Sequence, residues 1–399
     1  MTEIENRIFS NRKMLEFFNH LINNNNNIID NNDIKSSLFS SCIIDLYSFM
    51  NILKLIYKSL DKKGKKELDE TIFEIIVNIP PIGMNYRCGI FIKEGYQYKD
   101  TYLKKLEKIA ILDFIPRTKE DIDRINKAIC EIFKNWTLPG VKFFDDEEKE
   151  LNNNDDYVVM IKDQSYFNEE WLYHKFDNYN NNNDDFHIGY GLTISIPIIH
   201  LFDPSSDTMD IYQYKQLNST FISLPYKNIK YSMLIIMPDK PHTKQELIQF
   251  CNDKLKIDNI DEFYKKKTKV QYNFVNFPKN FEFKSNWQFK HDIIESSLSS
   301  ASNQNGPTIN LSNISNDLSN DISFQLVNLK SGFNIKCDAV NIDDVVNYNA
   351  RFLAERPNIL KINKCFVFMI IDNDYSIINK IGIFTGICNV NNMKMMMMK

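Results

Sequence analysis

Three observations predict an α+β fold for this chain. Apolar residues recur at helical spacing in the first third, short apolar runs bounded by turn residues take over from about residue 157, and the two textures follow one another instead of alternating as βαβ units do. In residues 42–60, Ile43, Leu46, Tyr47, Met50, Leu53 and Leu60 keep near-helical spacing, with Ser40 or Ser41 placed to cap the start, so a helix is expected there. A second helix is signalled by Thr118 and Asp121, a capping-box pair, followed by Ile122, Ile125, Ile129, Ile132 and Phe133 on one face. The runs YVVMI, LTISIPII, YSMLIIMP, VQYNFVNF, CFVFMII and IGIFTGI are rich in Val, Ile and Phe and of strand length, and several are apolar almost throughout, as strands covered on both faces are. No internal repeat and no long Pro/Gly/Ser linker divides the chain, so one domain over 1–390 is expected, with an unstructured tail at 391–399.

Composition narrows the function by exclusion. The net charge of −4 is carried by interspersed Lys and Asp/Glu, which gives no electrostatic reason to expect nucleic acid as a partner. The stretch LDKKGKKELDE reads as a solvated mixed-charge loop, because acids flank it and no aromatic stacking platform is interleaved. Seven scattered cysteines without a CxxC pair argue against a disulfide scaffold and a zinc cluster, so neither metal nor cofactor is expected. No apolar run reaches the length of a membrane span, and MTEIENRIFSNRKMLEFF lacks the basic start and apolar core of a signal peptide; a cytoplasmic location is expected, with an extracellular one as the alternative. The Asn runs at 23–27, 152–154 and 180–183 read as polar loop tips.

Catalytic constellations are not visible either. The histidines at 20, 174, 187, 200, 242 and 291 show no HExxH spacing, no GxSxG occurs, and a chain with 11 glycines offers no phosphate loop. The expectation is a protein that does no catalysis of its own.

Four segments in order are similar to the serpin superfamily. SLFSSCII (37–44) resembles the family's Phe-Ser-Pro-x-Ser-Ile motif, with Ser41 in place of the proline. YVVMIKDQSYFNEEW (157–171) is similar to the strand ending in Asn-Ala-x-Tyr-Phe-Lys-Gly-x-Trp and keeps Tyr166, Phe167 and Trp171. ISLPYKNIKYSMLIIMPD (222–239) matches the Leu-Pro-Tyr and Ser-Met-x-Ile-x-x-Pro pattern almost residue for residue. KCFVFMIIDNDYSIINKIGIFTGICNV (364–390) looks like the family's buried final hairpin, with Cys365 replacing a proline and Gly386 keeping the glycine.

The resemblance implies three β-sheets, about nine helices and an exposed reactive-centre loop over residues 339 to about 358, before the final hairpin. It implies a monomer whose partner is a serine protease, or in some members a cysteine protease, trapped as an acyl-enzyme when the cut loop enters the large sheet. Counting from Ala339, which replaces the family's hinge glycine, the scissile bond falls at Leu353–Ala354, with Arg351 and Phe352 as alternatives one or two residues away. Leu or Phe there implies chymotrypsin-like specificity, and Arg implies trypsin-like. Ser40, Asp163 and Trp171 fall on the family's shutter and breach positions; Asp163 stands for an asparagine, and Cys337 for the hinge glutamate.

The hinge itself sets a physical demand. Side chains in a strand alternate faces, so in that register Val340, Ile342, Asp344 and Val346 turn into the core and Asn341, Asp343 and Val345 turn out. An unpaired buried carboxylate costs several kcal/mol, against roughly ten new ladder hydrogen bonds at about 1 kcal/mol net each. Insertion stays downhill, while the bulk of Val and Ile and the acid at Asp344 slow it. Two functions are left open, a suicide-substrate protease inhibitor and a non-inhibitory binding or decoy protein.

Overall fold

In the computed structural model, which describes Leu15 and residues 42–45, 85–101, 104, 110–133, 142–144, 159–176, 183–202, 208–272, 274–279, 281, 283–289, 326–336, 339–340, 358–373 and 377–386, the apolar runs become strands. The order is β1 (Cys42–Asp45), β2 (Asn85–Ile92), β3 (Ile111–Phe114), α1 (Lys119–Ile132), β4 (Val159–Glu170), β5 (His174–Phe176), β6 (Asn183–Gly189), β7 (Leu192–Phe202), β8 (Thr208–Tyr214), β9 (Ser219–Pro225) and β10 (Tyr231–Pro238). It continues with α2 (Lys244–Asp253), α3 (Ile257–Lys266), β11 (Thr268–Gln271), β12 (Phe274–Pro278), β13 (Phe283–Phe289), β14 (Leu326–Lys336), β15 (Ala339–Val340), β16 (Ile359–Lys361), β17 (Phe366–Asp372) and β18 (Ile377–Phe384). The strands form three sheets: seven strands in the order β1-β18-β17-β10-β9-β8-β11, six as β15-β5-β7-β12-β16 with β6 beside β7, and five as β13-β14-β4-β2-β3.

The residues group into two compact units, one of 1–46, 168–283 and 333–399, the other of 47–167 and 284–332. In the first unit, β10 and β17 are buried at every position, as their near-continuous apolar sequences require. They pair antiparallel with Ser232 opposite Ile371, and β17 continues into β18 as a hairpin. Phe281 fills the centre, with ring centroids 4.9 Å from Phe368 and 5.0 Å from both Phe277 and Phe384. α2 starts on a capping box of Thr243 and Glu246: Thr243 Oγ accepts from the Glu246 N–H at 3.2 Å and Glu246 Oε2 accepts from the Thr243 N–H at 2.7 Å.

In the second unit, α1 starts where Thr118 predicts it, with both capping-box hydrogen bonds made, and lays Ile122, Ile125 and Ile129 on a core with Phe91, Ile111, Met160, Phe143 and Phe144. Asn126 fixes the last two: its Oδ1 accepts from the Phe143 and Phe144 N–H groups at 3.0 and 2.9 Å. Buried Lys162 places Nζ 4.6 Å from the Phe144 ring centroid, and buried Arg87 donates Nε to Gln164 Oε1 at 2.7 Å. Cations this deep are held by ring faces and hydrogen bonds.

Two expectations change. Cys42–Asp45 is not the first turn of a helix but an edge strand, with Ile43 opposite Gly382 and Ile44 opposite Ile381. Four residues cannot distinguish the two periods, and the open ladder of β18 decides in favour of the strand; residues 46–60, with Ser40 and Ser41, lie outside the described residues. The run VQYNFVNF is two strands, because β11 pairs with β8 while β12 pairs with β7 in a different sheet. Among the described residues no helix is long and apolar enough to cross a membrane.

The glycine expected after the final strand has a steric reason. Gly386 sits at φ +83°, and a Cβ there would lie 2.8 Å from Phe186 Cδ1 and 3.0 Å from Ile194 Cδ1. Gly386→Ala is therefore expected to destabilise the protein by about 1–3 kcal/mol, read as a lower urea midpoint at unchanged slope.

Candidate functional site

The strands flanking the 341–358 segment lie at the two edges of the six-stranded sheet, in a single cross-strand row. Ala339 pairs with Lys175, Lys175 with Leu201, Leu201 with Val275 and Val275 with Leu360. Four inter-strand steps of about 4.8 Å place the two ends of the row roughly 19 Å apart. Residues 341–358 extended at about 3.3 Å each reach roughly 60 Å, some three times that span. β15 runs parallel to β5 and β16 parallel to β12, while β5 and β12 both run antiparallel to β7. Both anchors therefore point the same way.

The downstream anchor carries a polar row. Asn276 of β12 has His200 of β7 and Lys361 of β16 as its cross-strand partners. His200 Nδ1 lies 2.7 Å from Asn276 Oδ1, Asn276 Nδ2 donates to Asp184 Oδ2 at 3.5 Å, and Lys361 Nζ donates to the same carboxylate at 3.0 Å. The proton order follows from Asp184, which accepts only: the amide turns its NH2 to the carboxylate and its oxygen to His200, so Nδ1 carries the proton. Burial pushes the Asp184 carboxyl up, but the hydrogen bond and charge of Lys361, with hydrogen bonds from the Asp185 N–H and Asn276, hold it below the usual range.

The fold and this row can be set beside known proteins. The sequence profile of the family Serpin (serine protease inhibitor) matches residues 49–386. The chain belongs to the serpin family. Among solved structures, this serpin is similar to the mouse protein-Z dependent protease inhibitor (16% identity, 96% of this chain and 99% of the other, TM-score 0.65), a tumour suppressing serpin (13%, 97% and 100%, 0.67) and native protease nexin-1 with heparin (13%, 96% and 100%, 0.68). No match is found among curated proteins.

In this serpin two of the sequence motifs meet in space. Trp171 bridges to Tyr226 with ring centroids 5.2 Å apart, the Leu172 N–H donates to the Pro225 carbonyl at 3.1 Å, and Lys227 Nζ meets Glu170 Oε2 at 2.9 Å. Trp171 is fully buried, also packs on Phe277 at 5.4 Å, and its Nε1–H has no hydrogen-bond partner among the described residues. Asp163 is fully buried on β4, opposite Cys88 of β2. Ala339 and Val340 are β15, and pair with the six-stranded sheet. Ile342, Asp343, Asp344, Arg351, Phe352, Leu353, Ala354 and Ser40 lie outside the described residues. Cys365 is buried, which pushes its thiol up to about 12 and makes it a packing residue.

Two tests follow from these contacts. Trp171→Ala should cost about 3–5 kcal/mol, whereas Trp171→Phe, which keeps a ring and removes an unpartnered buried N–H, should cost about 1 kcal/mol by chemical denaturation. The lowered Asp184 pKa contributes stability that is complete above the ordinary aspartate value of about 3.9 and lost as pH falls below it. Asp184→Asn should therefore lower the melting temperature at pH 7, with the gap closing toward pH 2.

Proposed function

We propose that this serpin offers residues 341–358 as bait to a serine-type endopeptidase and acts as a monomeric suicide-substrate inhibitor. The observation that carries the reading is the row ending in Ala339 and Leu360: a segment with three times the length its anchors require can be drawn into a protease cleft without disturbing the sheet. The protease inhibitor named in the mouse structure supports the same class of partner.

In the proposed sequence the protease serine attacks the Leu353 carbonyl, its proton passes to the Ala354 amine, the Leu353–Ala354 bond breaks, and Leu353 stays esterified to the serine. The upstream stretch, no longer tied to β16, adds to the five-stranded sheet alongside β14, the strand it continues from, and parts β14 from β4. Trapping is a race between this addition and deacylation, and this serpin then needs no catalytic group of its own. A cysteine protease would be held by the corresponding thioester.

Asp344 and the missing small residues at Val340, Ile342 and Val346 favour a second reading, a serpin-fold binding or decoy protein cut as a plain substrate. Incubation with chymotrypsin, elastase and trypsin separates the two. The inhibitor reading expects a complex that survives SDS, with the upstream fragment ending at Leu353. Clean cleavage by all three without a complex would sink it. If trapping is present but slow, Asp344→Ala should raise the trapped fraction severalfold.

A further inference from the structure

Ala339 and Val340 are the backbone partners of Lys175 and Phe176 at the edge of the six-stranded sheet, although β14, which ends three residues upstream, is a strand of the five-stranded sheet. Only Cys337 and Asp338 lie between Lys336 and Ala339, so the two strands end and begin within about 11 Å of each other. The hinge therefore stands within reach of both sheets and is paired with one. The proposed reaction requires the other. A strand added between β14 and β4 gives one edge to each of those neighbours and has none left for β5, so the two pairings exclude one another.

We propose that β5 is a holding strand for the hinge: Lys175 and Phe176 are positioning residues that keep Ala339 and Val340 on the six-stranded sheet until the segment is cut, and the opening of this pair then slows insertion. The hold is short by construction. β15 has two residues and β5 has three, of which Lys175 also pairs with Leu201 of β7, while Phe176 has Val340 as its one ladder partner among the described residues. A pair of this length is a two-state element, closed or open, that a full new strand outcompetes. Before cleavage the tie to β16 withholds that competitor and the pair stays closed. After cleavage the pair is the first contact that has to break.

The hold rests on the reading of 341–358 as cleaved bait, and hydrogen exchange of the full chain separates the failure of one from the failure of the other. Chymotrypsin cleavage within 341–358 is expected to speed exchange severalfold at Lys175 and Phe176, because β5 loses its outer partner, and to slow it at Ala339 and Val340, which gain two. Phe176→Pro removes an N–H from the pair and leaves Lys175 on Leu201. In the intact variant, exchange at Ala339 and Val340 should rise by about two- to tenfold, the range of one ladder hydrogen bond, with the urea midpoint unchanged. The ratio of trapped to released protease should rise by the same factor. A nicked protein that melts higher while Lys175 and Phe176 exchange as before would overturn the hold and leave the inhibitor reading standing. One that neither melts higher nor exchanges differently at either place would overturn both. Faster hinge exchange in Phe176→Pro with an unaltered ratio of trapped to released protease would also overturn the hold, since β5 would then be no brake on insertion.

Discussion

Ala339 and Leu360 occupy one cross-strand row of the six-stranded sheet, and both anchors run in the same direction. The tether between these anchors, residues 341–358, would reach about three times their separation if fully extended. The rest of the architecture serves this tether. The buried pair β10 and β17 and the aromatic cluster around Phe281 make the unit that carries it stiff. The junction of Trp171 with Tyr226 fixes the chain just ahead of β5, the strand on which the upstream anchor pairs.

The two anchors are built differently. β15 has two residues, follows β14 after Cys337 and Asp338, and is held in the six-stranded sheet by pairing with Lys175 and Phe176. β16 buries Leu360, is followed by buried Ile362, and carries a polar row reaching through Asn276 to His200. On the proposed mechanism it is the upstream half of the segment that leaves, past the two-residue strand β15. In the proposed inhibitor the hinge residues would decide the outcome: strand addition would gain about 1 kcal/mol per ladder bond, and Asp344 would oppose it.

Much of the fold is legible in the sequence because its signals are local. YSMLIIMP and CFVFMII are too apolar and too short for anything but covered strands, and Thr118 with Asp121 marks a helix start to the residue. The motifs around Trp171 and Pro225–Tyr226 are likewise readable, though not that they touch. The polar row is not legible at all, since Asp184, His200, Asn276 and Lys361 are far apart in the chain and meet only through the registers of four strands. Cys42–Asp45 misleads for the opposite reason: its local spacing fits a helix, and a partner more than three hundred residues away makes it a strand. The expected scissile bond at Leu353–Ala354 rests on the count from Ala339 alone, and the register of β16 at the other end of the segment is a property of the fold.

In the proposed mechanism the segment, once cut, becomes a strand of the five-stranded sheet. The most direct measurement is thermal unfolding of the intact protein against the same protein nicked at Leu353–Ala354. About ten added ladder bonds at roughly 1 kcal/mol each predict a melting temperature higher by at least about 10 °C in the nicked form. An unchanged or lower melting temperature after complete cleavage would rule out this strand addition.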